Sequence, residues 1–192
     1  MEDRRIKIER TGTILHLDGD KKYAEKSKVY YKRMGLNAIV KNISEKEQAE
    51  VITDLLNQFE PDILIITGHD KMIKKGKRYY DICNYQNSKH FINTVLKARK
   101  WEHISGKEIT IFAGACQSFY EAIMKSGANF ASSPGRILID FEDPLIVAKK
   151  IATTEKHKYI SIEEISKFLR DGTKGVGGIR KQGKKRSNNT VI

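Results

Sequence analysis

The chain of 192 residues is poor in cysteine and proline, with two and three respectively, and has no long apolar run. A membrane-spanning helix needs about 18 consecutive apolar residues, and no stretch approaches that. The opening residues, Met-Glu-Asp-Arg-Arg, lack the apolar segment of a signal peptide, so the expected site of action is intracellular, without a membrane. Cys83 and Cys116 are the whole cysteine complement. They cannot build a disulfide framework, and free thiols are the expectation in a reducing compartment. The scarce prolines punctuate the chain: Pro61 ends one helical pattern and Pro144 opens another. Positive charge, by contrast, is abundant. There are 36 Lys+Arg against 24 Asp+Glu, a formal charge of +12. Such an excess raises nucleic acid as a partner. Much of it gathers at the ends, however, at Arg4, Arg5, Lys7 and Arg10 and at Lys174, Arg180, Lys181, Lys184, Lys185 and Arg186. That placement favours solubility, protein contacts or protease-accessible sites over nucleic-acid binding.

The length suits one domain with a sizeable core. Thr13–Leu17 reads as a strand closed by Asp18-Gly19-Asp20. Helical spacing from Lys22 to Met34 stops at Gly35, and Asn37–Val40 is a second strand. Ser44 opens a helix, with Glu47 completing a capping box, and Pro61 closes it. The β-branched run Ile63–Thr67 exits through Gly68-His69-Asp70. Lys71–Tyr85, rich in lysine and tyrosine, reads as a lid or substrate rim. A helix from Ser88 to Trp101 leads to a second buried strand, Ile109–Ala113, which exits through Gly114-Ala115-Cys116-Gln117-Ser118. Further expectations are a helix over Gln117–Ser126, a small-residue loop with room for a short strand over Gly127–Pro134, and a strand over Arg136–Ile139. Two helices follow, over Pro144–Lys150 and Ser161–Leu169. Strands alternating with helices predict an α/β three-layer sandwich, with a mostly parallel central sheet and helices on both faces. Residues 1–178 are expected to form a single catalytic domain, and 179–192 a basic flexible tail.

Ligands of open parallel sheets bind beyond the carboxyl ends of the strands. Asp18-Gly19-Asp20, Gly68-His69-Asp70 and Gly114-Ala115-Cys116 all sit at such ends. His69 is a proton carrier and Cys116 a nucleophile 47 residues further on, a span that accommodates one β-loop-α-β unit. A thiol at a helix N-terminus is activated, and its own N–H can stabilise an oxyanion, with Gly68 supplying a second donor and Gly114 a further oxyanion-hole or substrate contact. His69 would then protonate the departing amine. Cys116 alone would read as a small buried residue, and His69 at the equivalent strand end turns the balance towards catalysis. Cys83 is a rival thiol in a polar loop without a preceding strand. His16 lies within a strand and reads as a packed core histidine. His90, His103 and His157 read as surface groups. Asp70 follows His69 directly and so points away from the imidazole, in a substrate-side or structural role. Gln117 and Ser118 are candidates for the leaving-group side of the pocket.

A hydrophobic run ending in His, a spacer, then a hydrophobic run ending in Ala-Cys resembles the caspase-like clan of cysteine proteases. Its order, His before Cys, argues against glutamine-amidotransferase-like sites. The ordered blocks Leu17-Asp18-Gly19-Asp20, Pro61–Asp70, Tyr85-Gln86-Asn87-Ser88, Phe112–Ser118, Gly127–Pro134, Asp143-Pro144 and Lys150-Ile151-Ala152 resemble the YabG family of sporulation-specific cysteine proteases along nearly the whole chain. The resemblance implies a caspase-hemoglobinase-like fold and an endopeptidase with no cofactor or metal. It implies Cys116 and His69 as the catalytic pair, agreeing with the reading from the residues. It further implies spore coat and cortex-related proteins as substrates, and the mother-cell cytoplasm or spore coat as the place of action. Family members carry a β-rich domain ahead of the position of Thr13, so a fragment or processed form is expected here. Together with the basic ends, the resemblance suggests cleavage after Arg or Lys, including self-cleavage, with Asp81, Asp140 or Asp143 at the base of the specificity pocket.

Two other readings compete. Asp18 and Asp20 after a first strand can hold Mg²⁺, as in phosphatases of the haloacid-dehalogenase type or in receiver domains. The plainer reading has Asp18 bonding the substrate side or loop amides, and Asp20 capping the next helix. A non-catalytic receiver-like or nucleic-acid-binding module would leave Cys116 as packing only.

Overall fold

In a computed structural model, residues 5–191 are described, with side chains from Arg10 to Arg186. A six-stranded sheet forms the middle layer. Its five parallel strands are β2 (Ile14–Asp18), β3 (Ala38–Asn42), β4 (Ile63–Thr67), β5 (Thr110–Ala113) and β6 (Phe130–Ser132). An antiparallel edge strand, β8 (Val176–Gly178), gives the order β3-β2-β4-β5-β6-β8. The remaining strands form two small antiparallel pairs, β1 (Arg5–Arg10) with β10 (Arg186–Val191) and β7 (Tyr159–Ile160) with β9 (Lys181–Gln182).

The central strands are mostly apolar on both sides because both sheet faces are covered, with His16, Asp18, Thr67 and Thr110 as the buried polar exceptions. Ile14, Ile63, Ile65, Phe112 and Phe130 point into one cluster, with residues of α1 (Lys21–Arg33), α5 (Glu142–Thr153) and α6 (Ile162–Ser166). Leu15, Leu17, Leu64, Ile66 and Ile111 alternate with them. They pack under α2 (Glu45–Phe59), α3 (Ser88–Ser105) and α4 (Tyr120–Lys125). Each such side chain, fully buried, is worth ~1.5–3 kcal/mol. The result is the expected three-layer α/β sandwich. No helix among the described residues is long and apolar enough to cross a membrane.

Four local expectations are corrected. Arg136–Ile139 is not a strand: β6 pairs with β5 and β8, and the 136–139 segment runs outside the sheet with Leu138 exposed. The helix expected from Gln117 starts only at Tyr120, because Ser118 and Cys116 lie in a tight turn in which Gln117 has φ 57°. Cys116 therefore does not sit on a helix N-terminus. At Ser44 the hydroxyl donates to the Glu47 carboxylate and accepts no helix amide. The complete capping box lies at Ser161 and Glu164 instead. Within the stretch expected as a basic tail, Lys181–Gln182 forms β9 and Arg186–Val191 forms β10. Lys184 is buried there, and its N–H donates to Ile151 O at 2.9 Å.

Candidate active site

β2, β4 and β5 are adjacent and parallel, in a register that pairs Asp18 with Thr67 and Ile66 with Ala113. Their carboxyl ends therefore open side by side. A cleft of about 130 Å³ lies there, and both His69 and Cys116 line it, with Gly68, Gly114, Ala115, Asp18 and Thr67. Tyr23 and Ser27 of α1 form one wall. Ile139, Phe141 and Pro144 form another, with Tyr23 and Phe141 stacked at 5.7 Å.

The segment misread as a strand supplies this second wall. Ile137 O and Ser133 Oγ both accept the Gln117 N–H, at 3.0 and 3.1 Å, which ties the segment to the cysteine turn. Cys116 is half-buried, with Sγ 3.9 Å from Ile139 O. Its own amide and that of Gly68 donate to no acceptor among the described residues. Gly114 differs, because its N–H is taken by Ile66 O at 3.0 Å.

His69 is held at three points. Its Nε2 lies 2.7 Å from Asp20 Oδ2, its N–H donates to Glu45 Oε1 at 2.6 Å, and its carbonyl accepts from Asn87 Nδ2 at 2.8 Å. Asp20 also caps α1, accepting from the Tyr23 N–H through Oδ1. The His69 hydrogen bond, with the two amides at the start of α1, holds the Asp20 carboxyl below its ordinary range. The expected cap is thus present. The contact with His69 is additional, and sequence reasoning missed it. Its signal is register: with Asp18 opposite Thr67, two residues further on each strand brings Asp20 opposite His69.

Beneath the cleft, His16 is buried as expected. Its Nε2 is 2.7 Å from Thr67 Oγ1 and its Nδ1 3.1 Å from the Tyr31 hydroxyl. Burial lowers its pKa to about 3, so the ring is neutral. Thr67 donates onward to Asp18 Oδ2 at 2.8 Å, and Asp18 Oδ1 accepts the Asp20 N–H at 2.7 Å. Burial raises the pKa of Asp18. The oxygens of Asp18 and Asp20 are thus committed to protein donors. Among the described residues no group of three or more His, Cys, Asp or Glu gathers as metal ligands do.

The remaining expected site residues do not line the cleft. Asp70 is buried and accepts from the Ser88 hydroxyl, from Ser118 Oγ at 2.9 Å and from the Asn87 and Lys71 amides. Burial raises its pKa against the pull of those donors. Ser118 also accepts the Ala115 N–H, so Asp70 and Ser118 brace the cysteine turn from behind. Asp81 caps the short turn at Ile82–Asn84. Asp140 faces Arg170, and Asp143 is buried against the Asp140 and Arg170 amides. The Lys71–Tyr85 loop is closed by the buried Asn84, whose side chain bonds the carbonyls of Lys74 and Lys77.

Comparison with known proteins gives the family. The model of the YabG peptidase U57 family matches residues 1–190. The chain belongs to that family. It is 41% identical over 173 residues to the sporulation-specific protease YabG of Bacillus subtilis (strain 168), covering 90% of this chain and 59% of the relative. The chain thus spans about three-fifths of the length of the curated relative it matches. Among solved structures, the receiver domain of the histidine kinase CKI1 from Arabidopsis thaliana, complexed with Mg²⁺, is similar at a TM-score of 0.39 and 14% identity. That match covers 61% of this chain and 79% of the receiver domain. Likeness at that level carries no weight for the site.

Proposed function

We propose that the chain is a cysteine endopeptidase in which Cys116 attacks the scissile carbonyl and His69 carries the proton. One observation bears most of this reading: a histidine and a cysteine 47 residues apart line one cleft at the ends of adjacent strands. The order His before Cys is that of caspase-like proteases. As the thiolate adds, the carbonyl becomes an oxyanion, for which the uncommitted amides of Cys116 and Gly68 are available donors. The imidazolium of His69 then protonates the leaving amine, and water hydrolyses the thioester. Asp20 stabilises and orients the charged ring, as the third member of such an arrangement does.

Cleavage after Arg or Lys is part of the proposal. Asp81, Asp140 and Asp143 do not line the cleft, so this preference does not rest on any of them. The similarity to a protease named as sporulation-specific supports a role in sporulation; spore coat and cortex-related proteins as substrates, in the mother-cell cytoplasm or the spore coat, complete the proposal. The test is turnover of a peptide with arginine at the cleaved bond. Cys116→Ala and His69→Ala should each lower kcat by roughly 10³-fold or more, with unchanged circular dichroism. Full activity in the Cys116→Ala protein would refute the reading.

A further inference from the structure

The chemistry of peptide cleavage makes no direct demand on Glu45, yet three features of the site converge on its carboxylate. Glu45 is the first residue of α2, and its Oε1 accepts the His69 N–H at 2.6 Å. A Cβ built at Gly19 would lie 2.3 Å from the same oxygen, and one built at Gly68 would lie 2.2 Å from it. Gly19 follows β2 and Gly68 follows β4, so the carboxylate occupies a notch that two glycines leave open at neighbouring strand ends. Gly19 does not have a left-handed backbone. Glycine there is therefore explained by the room it leaves for Glu45, not by a conformation that only glycine adopts. Negative charge is also favourable in the first turn of a helix.

We propose that Glu45 is a positioning residue for the reaction: it clamps the main chain of His69 so that the imidazole is presented to the cleft in one place. This rests on the Cys116/His69 reading given above. The His69 peptide is then held on both sides, by Glu45 at its N–H and by Asn87 at its carbonyl, while Asp20 holds the ring separately. Backbone and ring are fixed by different residues, so each can be tested alone. A displacement of about 1 Å at a catalytic group costs on the order of 10²-fold in rate. Removing the clamp should therefore act on kcat.

The experiment is steady-state kinetics on an arginine peptide, with thermal unfolding of each variant, for Glu45→Ala, Glu45→Gln, Gly19→Ala, the double variant Glu45→Ala/Gly19→Ala, and His69→Ala. Glu45→Ala is expected to lower kcat by about 10- to 100-fold with KM within about twofold. Glu45→Gln keeps a carbonyl oxygen able to accept the His69 N–H and should restore most of the rate. A methyl group at residue 19 pushes the flexible carboxylate out of its notch, so Gly19→Ala should reproduce the Glu45→Ala loss. The double variant should then be no slower than either single one, as expected when two changes remove one interaction. The proposal is overturned if Glu45→Ala keeps kcat within about twofold of wild type. It is also overturned if Glu45→Gln is as impaired as Glu45→Ala, if the two losses multiply, or if each loss follows the fraction unfolded. Should His69→Ala retain full activity, the dyad itself fails, and the clamp with it. Loss in His69→Ala with an unaffected Glu45→Ala would remove the clamp alone.

Discussion

At the scale of single residues, Asp20 does two things with its two oxygens. Oδ1 caps α1 and Oδ2 meets the His69 ring. Two substitutions separate these tasks. Asp20→Ala loses both, and should lower stability by about 1 kcal/mol, the usual worth of an N-cap, as well as slowing catalysis. Asp20→Asn retains an acceptor for the Tyr23 N–H, and its stability should stay within about 0.5 kcal/mol of wild type. It carries no charge to stabilise an imidazolium, so its kcat should still fall by at least about tenfold. Urea unfolding and kcat, measured on both proteins, check this. The cap was legible in the sequence, since an aspartate stood directly before a helical pattern. The contact with His69 was not, because it depends on β2 being the neighbour of β4, and local residue patterns do not state which strands pair.

At the scale of elements, the junction of β4, α3 and the cysteine turn is built on Asp70. It collects donors from Ser88 and Asn87 at the start of α3, from Ser118 behind Cys116, and from Lys71. All of these groups donate, so a carboxylate fits where an amide does not. Asp70→Asn would turn an NH₂ towards at least one of them, leaving a buried donor unsatisfied at a cost of about 1–3 kcal/mol. The check is the urea midpoint, where a value equal to wild type would contradict this role. The expectation that Asp70 does not orient the imidazole comes from the divergence of neighbouring side chains on an extended chain, and the oxygens of Asp70 are taken by Ser88, Asn87, Ser118 and Lys71. The misreading at Arg136–Ile139 has a different cause. Ile137-Leu138-Ile139 has strand composition, but the edge of β6 is already filled by β8. Gly177 and Gly178 let β8 approach, because a Cβ there would strike the Tyr120 and Phe130 rings respectively. Glycines that permit close packing looked, in sequence, like the approach to a loose tail.

At the scale of the whole molecule, the core beneath the site carries a pH dependence. His16 is buried with Tyr31, Thr67 and Asp18 around it, and its pKa lies near 3. The unfolded chain takes up a proton at about pH 6.5 that the folded chain refuses. Folding stability therefore falls as pH drops through that value, by up to ~1.4 kcal/mol per pH unit until the folded pKa is reached. The buried carboxyls Asp18, Asp70 and Asp143, with raised pKa values, contribute in the opposite direction. Comparison with His16→Gln isolates the histidine, and the stability gap between the two proteins should narrow as pH falls from 6.5 to about 5. A constant gap would contradict a neutral, buried ring. The three-layer architecture and the convergence of three strand ends were legible because both follow from alternating apolar runs and glycine exits. The clamps on His69 were not, because they come from residues 24 and 49 positions away in the chain. The nucleophile is one of two thiols, Cys116 or Cys83. The most direct measurement is mass-spectrometric mapping of the adduct formed by a peptidyl chloromethylketone ending in arginine. One adduct is expected, on Cys116, with little labelling in the His69→Ala protein; an adduct confined to the exposed Cys83 would contradict Cys116 as the nucleophile.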